Sequence, residues 1–164
     1  MLNKECSSVQ TIIQTLDLQT HVEGGYYRRS YESKERCSSI IGDRALASSI
    51  YYLLTEQQPI GQWHKNSSDI MHYFNMGSAL SYYLISPEGV LEKHILSNDL
   101  SMGRPQLLVP GGYWKATHLA SGTYALLSEA VVPGFDFQDM VLGKEVSLES
   151  LFPEHSELIE QFSL

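Results

Sequence analysis

Residues 61–77 read GQWHKNSSDIMHYFNMG and carry three potential metal ligands or proton carriers between two glycines. These side chains are His64, Asp69 and His72, and strand-like sequence lies on both sides of them. Histidine and carboxylate groups at short spacing are the groups that bind transition metals or transfer protons. The stretch therefore predicts a pocket between short strands, without deciding which reaction takes place there.

Side-chain direction within this stretch gives a second prediction. Residues 70–74 predict a strand, in which successive side chains point to opposite faces. His72 then shares a face with both ends of that strand, whereas Asp69 points the other way if the strand already begins there. His64, Asp69 and His72 converge only if residues 65–68 form a loop that folds over the pocket.

Short strand-like runs continue along most of the chain. Residues 45–54, ALASSIYYLL, are apolar on both faces, which is typical of a strand covered on both sides. The mixed polar residues 34–43 predict a loop. Residues 123–132 alternate in direction. One face of that run holds Ala125, Leu127, Glu129 and Val131.

The order of these runs predicts an all-β protein. Many short strands separated by glycine and proline turns indicate a β-sandwich or barrel. Little room remains for βαβ crossovers, which need a dozen or more residues between strands. Helical patterns occur only near the ends, at residues 9–16, 147–151 and 153–162. The 164 residues contain no repeat or linker, so we expect a single domain over residues 1–164 with its core at about 21–143.

The charge balance bears on the partners of the protein. Eleven Lys and Arg residues against nineteen Asp and Glu residues give a net charge of -8. Nucleic-acid binding needs a dense positive face that replaces phosphate counterions, so this balance argues against it and against docking on anionic lipid. No stretch approaches the ~18 apolar residues of a membrane span. An anionic small ligand is still compatible, because one or two well-placed arginines suffice to bind it.

The two cysteines and the first residues bear on the compartment. Cys6 lies near the N-terminus and Cys37 lies far from it in sequence, so we expect two free thiols in a reducing environment. The opening residues, MLNKECSS, lack the apolar run of a signal peptide. A cytoplasmic protein is expected.

Several longer stretches together resemble a known family. They are HVEGGYYRRSY at 21–31, SIYYLL at 49–54, WHKNSSDIMHYFNMG at 63–77, RPQLLVPGGYWKA at 104–116 and VVPGFDF at 131–137. The chain resembles the cupin superfamily and, more closely, its uncharacterised DUF985 or cupin-5 family. This resemblance implies a cupin-type jelly-roll β-barrel with short N- and C-terminal helices, a homodimer, and a ligand pocket inside the barrel. It implies no particular reaction.

The metal motif of the wider superfamily is incomplete in this chain. By resemblance, His64 stands at the second position of a histidine pair, whereas Gln62 occupies the first position. Asp69 stands at the carboxylate position. Trp114 and Lys115 follow the proline-glycine turn where a third histidine is expected. Tryptophan cannot bind a metal in this way, and a lysine ammonium repels a cation.

Three interpretations of the histidine-rich stretch remain open. In the first, His64, Asp69 and His72 hold a divalent transition metal, with water as the remaining ligand. In the second, the three side chains line the pocket as hydrogen-bonding or acid–base groups. His64 then acts as a base oriented by Asp69 or Asp136, similar to the dyad of sugar-nucleotide epimerases in the same superfamily. In the third, they are ordinary polar residues on a barrel rim.

Four further residues are candidates for ligand binding. Glu23 and Arg28 flank a double glycine and form either a flap that grips the ligand or a solvated ion pair. Trp114 either stacks on a ring or packs in the core. Gln106 donates either to a ligand or to its neighbours. The expected partner is a small polar metabolite, sugar-like or nucleotide-like, bound by an epimerase- or isomerase-like enzyme or by a non-catalytic binding module.

Overall fold

The computed structural model of the protein describes residues 8–39 and 42–163, in which strands predominate. The strands are β1 (Gln19–Thr20), β2 (Tyr26–Glu32), β3 (Arg36–Ser39), β4 (Gly42–Ala45), β5 (Ser48–Thr55), β6 (Ile60–Asn66), β7 (Asp69–Gly77), β8 (Leu80–Ile85), β9 (Leu91–Leu96), β10 (Gln106–Val109), β11 (Trp114–His118), β12 (Tyr124–Val132) and β13 (Met140–Leu142). The helices are α1 (Val9–Leu16), α2 (Leu148–Leu151) and α3 (Ser156–Gln161). Short 3-10 turns occupy Phe137–Asp139, Gly143–Glu145 and Pro153–His155.

The strands form two antiparallel sheets. One sheet has six strands in the order β1-β2-β5-β12-β7-β10, and the other has five in the order β13-β6-β11-β8-β9. Apolar side chains of the two sheets meet in a shared core, in which Leu54 and Leu127 of the first sheet pack with Leu80 and Tyr82 of the second. The predicted all-β fold is confirmed.

Helices cover the outer faces of both sheets. Ser8 begins α1 by accepting a hydrogen bond from the backbone N–H of Thr11, and Ile12 packs on the outer side of the six-stranded sheet. The C-terminal helices cover the five-stranded sheet through Leu148 and Ile159. The predicted positions of the terminal helices are therefore confirmed. Within the described part of the chain, every helix is too short or too polar to cross a membrane.

Two local expectations differ from the structure. The sequence predicts a loop over residues 34–43, but Arg36–Ser39 pairs with Gly42–Ala45 in the antiparallel ribbon of β3 and β4, which an ion pair between Arg36 and Asp43 supports. Residues 40 and 41 lie outside the described part of the chain. This ribbon is exposed and therefore polar, so its composition resembles that of a loop although its backbone is extended. Cys37 in this ribbon is a free thiol, while Cys6 lies outside the described residues.

The expected loop at residues 65–68 is also much shorter than predicted. β6 continues through Asn66 and β7 begins at Asp69, so only two residues separate the strands. Because β6 and β7 belong to different sheets, the stretch from Gly61 to Gly77 passes from one sheet to the other. This crossing places His64 and His72 on facing sheets.

The shared core gives a direct test of the sheet packing. Leu127 is fully buried, so Leu127→Ala is expected to lower the free energy of unfolding by about 2–5 kcal/mol through lost burial and a residual cavity. Leu100 is 66% exposed, so Leu100→Ala should change that energy by no more than about 0.5 kcal/mol. Denaturant unfolding measures both values. Equal small losses in the two variants would contradict the described core.

Candidate functional site

Two cross-strand pairs place four polar side chains in the interior. His64 on β6 lies opposite Lys115 on β11, and His72 on β7 lies opposite Glu129 on β12. The first pair belongs to the five-stranded sheet and the second to the six-stranded sheet. All four residues are at least nine-tenths buried. The register of two strand pairs thus brings ionisable groups from both sheets into one interior.

A fifth buried group, Glu23, enters from the loop before β2. Its Oε2 lies 2.8 Å from Nε2 of His64. The loop lies directly against β6: the backbone N–H of Gln62 donates to the Glu23 carbonyl at 2.7 Å. Gly24 permits this approach, since its φ is +102° and a Cβ there would lie 2.2 Å from the Ile60 carbonyl oxygen.

The hydrogen bonds of His64 fix its charge. Nδ1 lies 2.7 Å from the carbonyl oxygen of Gln62, and Nε2 faces the carboxylate of Glu23. Both neighbours accept hydrogen bonds, so the ring satisfies both contacts only as a doubly protonated imidazolium. Burial by itself raises the pKa of Glu23, but the adjacent His64 and His21 outweigh burial and hold that pKa well below its usual range. Glu23 and His64 therefore form a buried ion pair.

The second cluster is built around His72. Its Nε2 lies 3.4 Å from Nζ of Lys115, and its Nδ1 lies 3.1 Å from the Tyr82 hydroxyl and 3.2 Å from Oε1 of Glu129. Because an ammonium group only donates, Nε2 accepts and the proton resides on Nδ1. Burial lowers the pKa of His72, in agreement with this neutral form. For Glu129, burial favours the neutral acid, yet His72 and Lys115 outweigh it and lower the pKa to about 2.

The interior charges balance. Glu23 and Glu129 are negative, whereas His64 and Lys115 are positive, and we refer to these four residues as the interior quartet. Removing such charges from water costs several kcal/mol per ion, and well-packed apolar residues are often as stable or more stable in their place. Stability alone is thus a poor explanation for the interior quartet. Ionisable groups with shifted pKa values beside a cavity are a recognised mark of a functional site.

A small cavity of about 30 Å³ adjoins the interior quartet. Its polar wall consists of His21, Glu23, His64, Asn66 and Glu129, and its apolar wall includes Ile50, Ile70 and Val131. One water needs roughly 10–15 Å³ of such space, so the cavity has room for only about two or three waters. A metabolite fits only if side chains at the mouth move.

The mouth opens toward a larger outer vestibule of about 520 Å³. Tyr27, Arg29 and Phe135 line both spaces and therefore separate them. The Arg29 guanidinium lies 5.8 Å from the centre of the Phe135 ring, donates to the Phe135 carbonyl oxygen at 3.3 Å, and pairs with Glu32. The Arg29–Glu32 pair is partly exposed, and such pairs contribute roughly 0–1 kcal/mol, so it offers little resistance to opening.

Of the sequence-predicted residues, the structure brings His64, His72 and Glu23 into the interior and leaves Asp69 outside it. Asp69 is exposed and begins β7, and it points away from His72 as the strand alternation predicts. Its Oδ1 accepts the backbone N–H of Gly111 at 2.8 Å and fixes the turn before β11. Glu23, rather than Asp69, therefore orients His64.

Asp136 and Arg28 also lie apart from His64. Asp136 lines the outer vestibule, and its Oδ1 accepts the backbone N–H of Gln138 at 2.9 Å, beginning a 3-10 turn. Arg28 is exposed and donates to the Leu16 carbonyl oxygen at 3.3 Å. Strand alternation turns Arg28 away from the mouth, which its neighbour Arg29 lines instead.

The remaining ligand-binding candidates face elsewhere. Trp114 is buried against the C-terminal helices on the outer side of its sheet, because it alternates with the interior residue Lys115. Packing, one of the two alternatives for this tryptophan, is what the structure describes. Gln106 is exposed at the start of β10, opposite the partly exposed Tyr73.

Sequence reasoning missed His21 and Asn66 of the polar cavity wall and Lys115 and Glu129 of the interior quartet. A usable signal existed for Glu129, the single charged residue on a face otherwise formed by Ala125, Leu127 and Val131. Lys115 lies between two apolar residues of a buried strand, and only its repulsion of a cation was considered. For His21 the sequence offered proximity to Glu23 and nothing more specific.

The residues present do not fit the metal that the fold class implies. Across residues 8–39 and 42–163, no three His, Cys, Asp or Glu side chains are grouped so that they could hold an ion. Both nitrogens of His64 face protein acceptors, and the Lys115 ammonium stands beside His72 and Glu129, where it would repel a cation. We therefore assign no step to a metal.

Two facing antiparallel sheets with a polar interior define the protein as a cupin-type jelly roll. The chain belongs to the family described as "Cupin superfamily (DUF985)", whose sequence pattern matches residues 10–143. The predicted resemblance and fold class are thereby confirmed.

Three relatives match most of the chain. The uncharacterized protein YML079W of Saccharomyces cerevisiae is 37% identical over 81% of this chain and 74% of its own length. The crystal structure of protein SO0799 from Shewanella oneidensis is 36% identical, with a TM-score of 0.87 over 96% of this chain and 98% of that one. A hypothetical protein from Leishmania major is 26% identical, with a TM-score of 0.88 over 95% and 98% of the two chains.

More distant structures share the fold alone. An oxalate decarboxylase of Bacillus subtilis is 17% identical, with a TM-score of 0.56 over 90% of this chain and 38% of that one. A dTDP sugar isomerase of Desulfovibrio desulfuricans is 12% identical, with a TM-score of 0.52 over 71% and 82%. Enzymes of different reaction types thus use this jelly roll, so the activity must be argued from the site.

The neutral, buried state of His72 predicts a pH dependence of stability. Its pKa is lowered from 6.5, so the unfolded chain binds more protons than the folded protein in the range between the lowered value and 6.5. The free energy of unfolding should fall as the pH decreases from about 7 to about 5, and His72→Gln should reduce that fall. His94→Gln, at a partly exposed pair with Glu92, is the matched control. Identical pH slopes in wild type and His72→Gln would contradict the assignment.

Proposed function

We propose that the protein is an enzyme of the isomerase or epimerase type that moves a proton on a small, hydroxylated carbonyl compound, sugar-like or nucleotide-sugar-like. The observation that carries this proposal is the buried Glu23–His64 pair on the wall of the interior cavity. A carboxylate oriented by an imidazolium on the wall of a small cavity is suited to remove a proton next to a carbonyl group.

Glu23 is the proton acceptor in this proposal, and His64 is its positioning residue. Both nitrogens of His64 are already engaged by Gln62 and Glu23, so neither is available to a substrate. Glu23 lines the cavity and takes the proton from the carbon next to the carbonyl group. The electron pair of that C–H bond forms a C=C bond, and the carbonyl π electrons move to oxygen to give an enolate. The hydroxyl proton on the deprotonated carbon then passes to that oxygen, the carboxylic acid returns its proton to the former carbonyl carbon, and a new C=O bond forms at the deprotonated carbon, so that no oxidant or reductant is needed.

His21 is placed to stabilise the carbonyl oxygen during this step. Its Nδ1 accepts the backbone N–H of Glu23 at 3.2 Å, which leaves the ring proton on Nε2. Burial lowers the pKa of His21, so the ring is neutral near pH 7. A neutral imidazole N–H in a cavity of low polarity stabilises a developing enolate oxygen.

A second candidate function is a non-catalytic binding module. The specific observation in its favour is that the pKa values of Glu23 and Glu129 both lie below their ordinary values. Carboxylates of this kind are weak proton acceptors near neutral pH, where a base with a pKa near the working pH is most effective. The same cavity would then hold a small polar metabolite without changing it.

Proton exchange with solvent separates the two candidates. The protein is incubated in D₂O with aldoses, ketoses and nucleotide sugars, and NMR detects replacement of C–H by C–D. Glu23→Gln is expected to lower the exchange rate by at least about 100-fold, since it removes the proton acceptor and keeps the shape. Asp69→Asn, which retains the acceptor for Gly111, should leave the rate unchanged. Ligand-induced thermal stabilisation without exchange would support the binding module instead.

We further propose a homodimer, as the family resemblance implies. The outer face of the six-stranded sheet exposes Tyr73, Leu108 and Val132, which are 36%, 47% and 56% accessible. Outward apolar side chains on neighbouring strands suit a self-complementary contact across a two-fold axis.

Light scattering on the purified protein tests this assembly. A mass of about twice 18.5 kDa is expected. Leu108→Glu should convert the dimer to the monomer by burying a charge in the contact, whereas Val90→Glu, on a turn away from this face, should not. A wild-type mass of one chain at all concentrations would contradict the proposal.

A further inference from the structure

We propose that the interior cavity selects a neutral or positively charged hydrogen-bond donor, such as the hydroxyl groups of a polyol, of an amino alcohol or of the sugar part of a nucleotide sugar. It rejects carboxylate and phosphate groups, so the phosphates of a nucleotide sugar stay outside it. This inference deepens the proposed function by naming the chemical class of the group that enters. It concerns binding alone, so a failure of proton exchange would leave it standing.

The polar wall of the cavity presents mainly acceptors. Two carboxylates, Glu23 and Glu129, line it, and each side chain keeps only about 6–7% of its exposure. The two opposing cations are already used: His64 donates to Gln62 and Glu23, and Lys115 faces His72 and Glu129. An entering anion would therefore meet two like charges and no unpaired cation on this wall.

Two buried oxygens of the wall also lack a donor. Oε1 of Glu129 and Oδ1 of Asn66 have no hydrogen-bond partner among residues 8–39 and 42–163, although Glu129 is 95% buried. Nδ1 of His72 and Nζ of Lys115 lie 3.2 and 3.8 Å from Oε1 of Glu129, but neither meets the geometry of a hydrogen bond to it. Because His72 is neutral, only Lys115 forms an ion pair with this carboxylate. An unpaired buried acceptor costs about 1–3 kcal/mol, and a ligand hydroxyl or ammonium group would recover that energy.

The apolar residues of the cavity favour a carbon skeleton. Ile50, Ile70 and Val131 line the same cavity and offer only hydrocarbon, and Ile50 lies beside Glu129 in the strand register. A hydroxylated carbon chain presents both C–H groups and O–H donors, which matches a lining of hydrocarbon and carboxylate side by side. The Arg29 guanidinium does not reverse this preference, because it lies at the mouth and is bound by Glu32 and the Phe135 carbonyl.

Three probes with the same three-carbon chain and 2-hydroxyl group test the selectivity: 1,2-propanediol, 1-amino-2-propanol and lactate, which are neutral, positive and negative. NMR titration follows the methyl signals of Ile50, Ile70 and Val131. We expect the diol and the amino alcohol to shift these signals with at least tenfold tighter binding than lactate. Lactate binding as tightly as the diol, or no shift with any of the three probes, would overturn the proposal.

A charge-removing variant identifies the residue responsible. Glu129→Gln keeps the shape of the side chain and should bring the affinity for lactate to within about threefold of that for the diol, while weakening the amino alcohol about tenfold. Glu92→Gln, at a partly exposed glutamate on β9, is the matched control and should change none of the three affinities. An unchanged order of affinities in Glu129→Gln would contradict the assignment, and the wild-type comparison stays decisive if this variant does not fold.

Discussion

The contact between Glu23 and His64 is the interaction on which the rest of the site depends. It joins the loop before β2 to β6 through side chains at 2.8 Å and runs beside a backbone hydrogen bond between the same segments. Because the pair is buried, neither charge is tolerated alone, and loss of one partner would leave the other uncompensated. The loop, the strand and the cavity wall are thus held in one arrangement.

A second pair of opposite charges, Lys115 and Glu129, lies beside this pair. Lys115 lies beside His64 by strand register, and Glu129 faces Lys115 from the other sheet at 3.8 Å. The neutral ring of His72 lies between Lys115 and the apolar core: its Nε2 faces the Lys115 ammonium, and its Nδ1 faces the Tyr82 hydroxyl. A jelly roll packed with hydrocarbon would need none of these groups, so their presence points to chemistry or recognition. The fold supplies rigid facing sheets, and the polar interior supplies the function.

Much of the fold could be predicted from the sequence because strand patterns are local. The alternation of side chains along a strand predicted that His72 and Asp69 point to opposite faces and that Glu129 and Leu127 share one face. Both predictions are confirmed. The partners within the site could not be predicted, because they join segments distant in sequence. Along the chain, two strands and a ribbon lie between Glu23 and His64, and no local sequence pattern predicts that these side chains are in contact. Composition was also a poor guide to the ribbon of β3 and β4, since exposed strands are polar like loops.

The protonation state of His64 tests the central claim most directly. Nitrogen NMR of the imidazole ring distinguishes an imidazolium, with protons on both nitrogens, from a neutral ring with one. The account predicts that His64 carries both protons near neutral pH and that Glu23→Gln removes one of them, because the ion pair is lost. A His64 ring that is neutral in the wild-type protein, with Glu23 titrating at the ordinary pKa of a glutamate, would contradict the account.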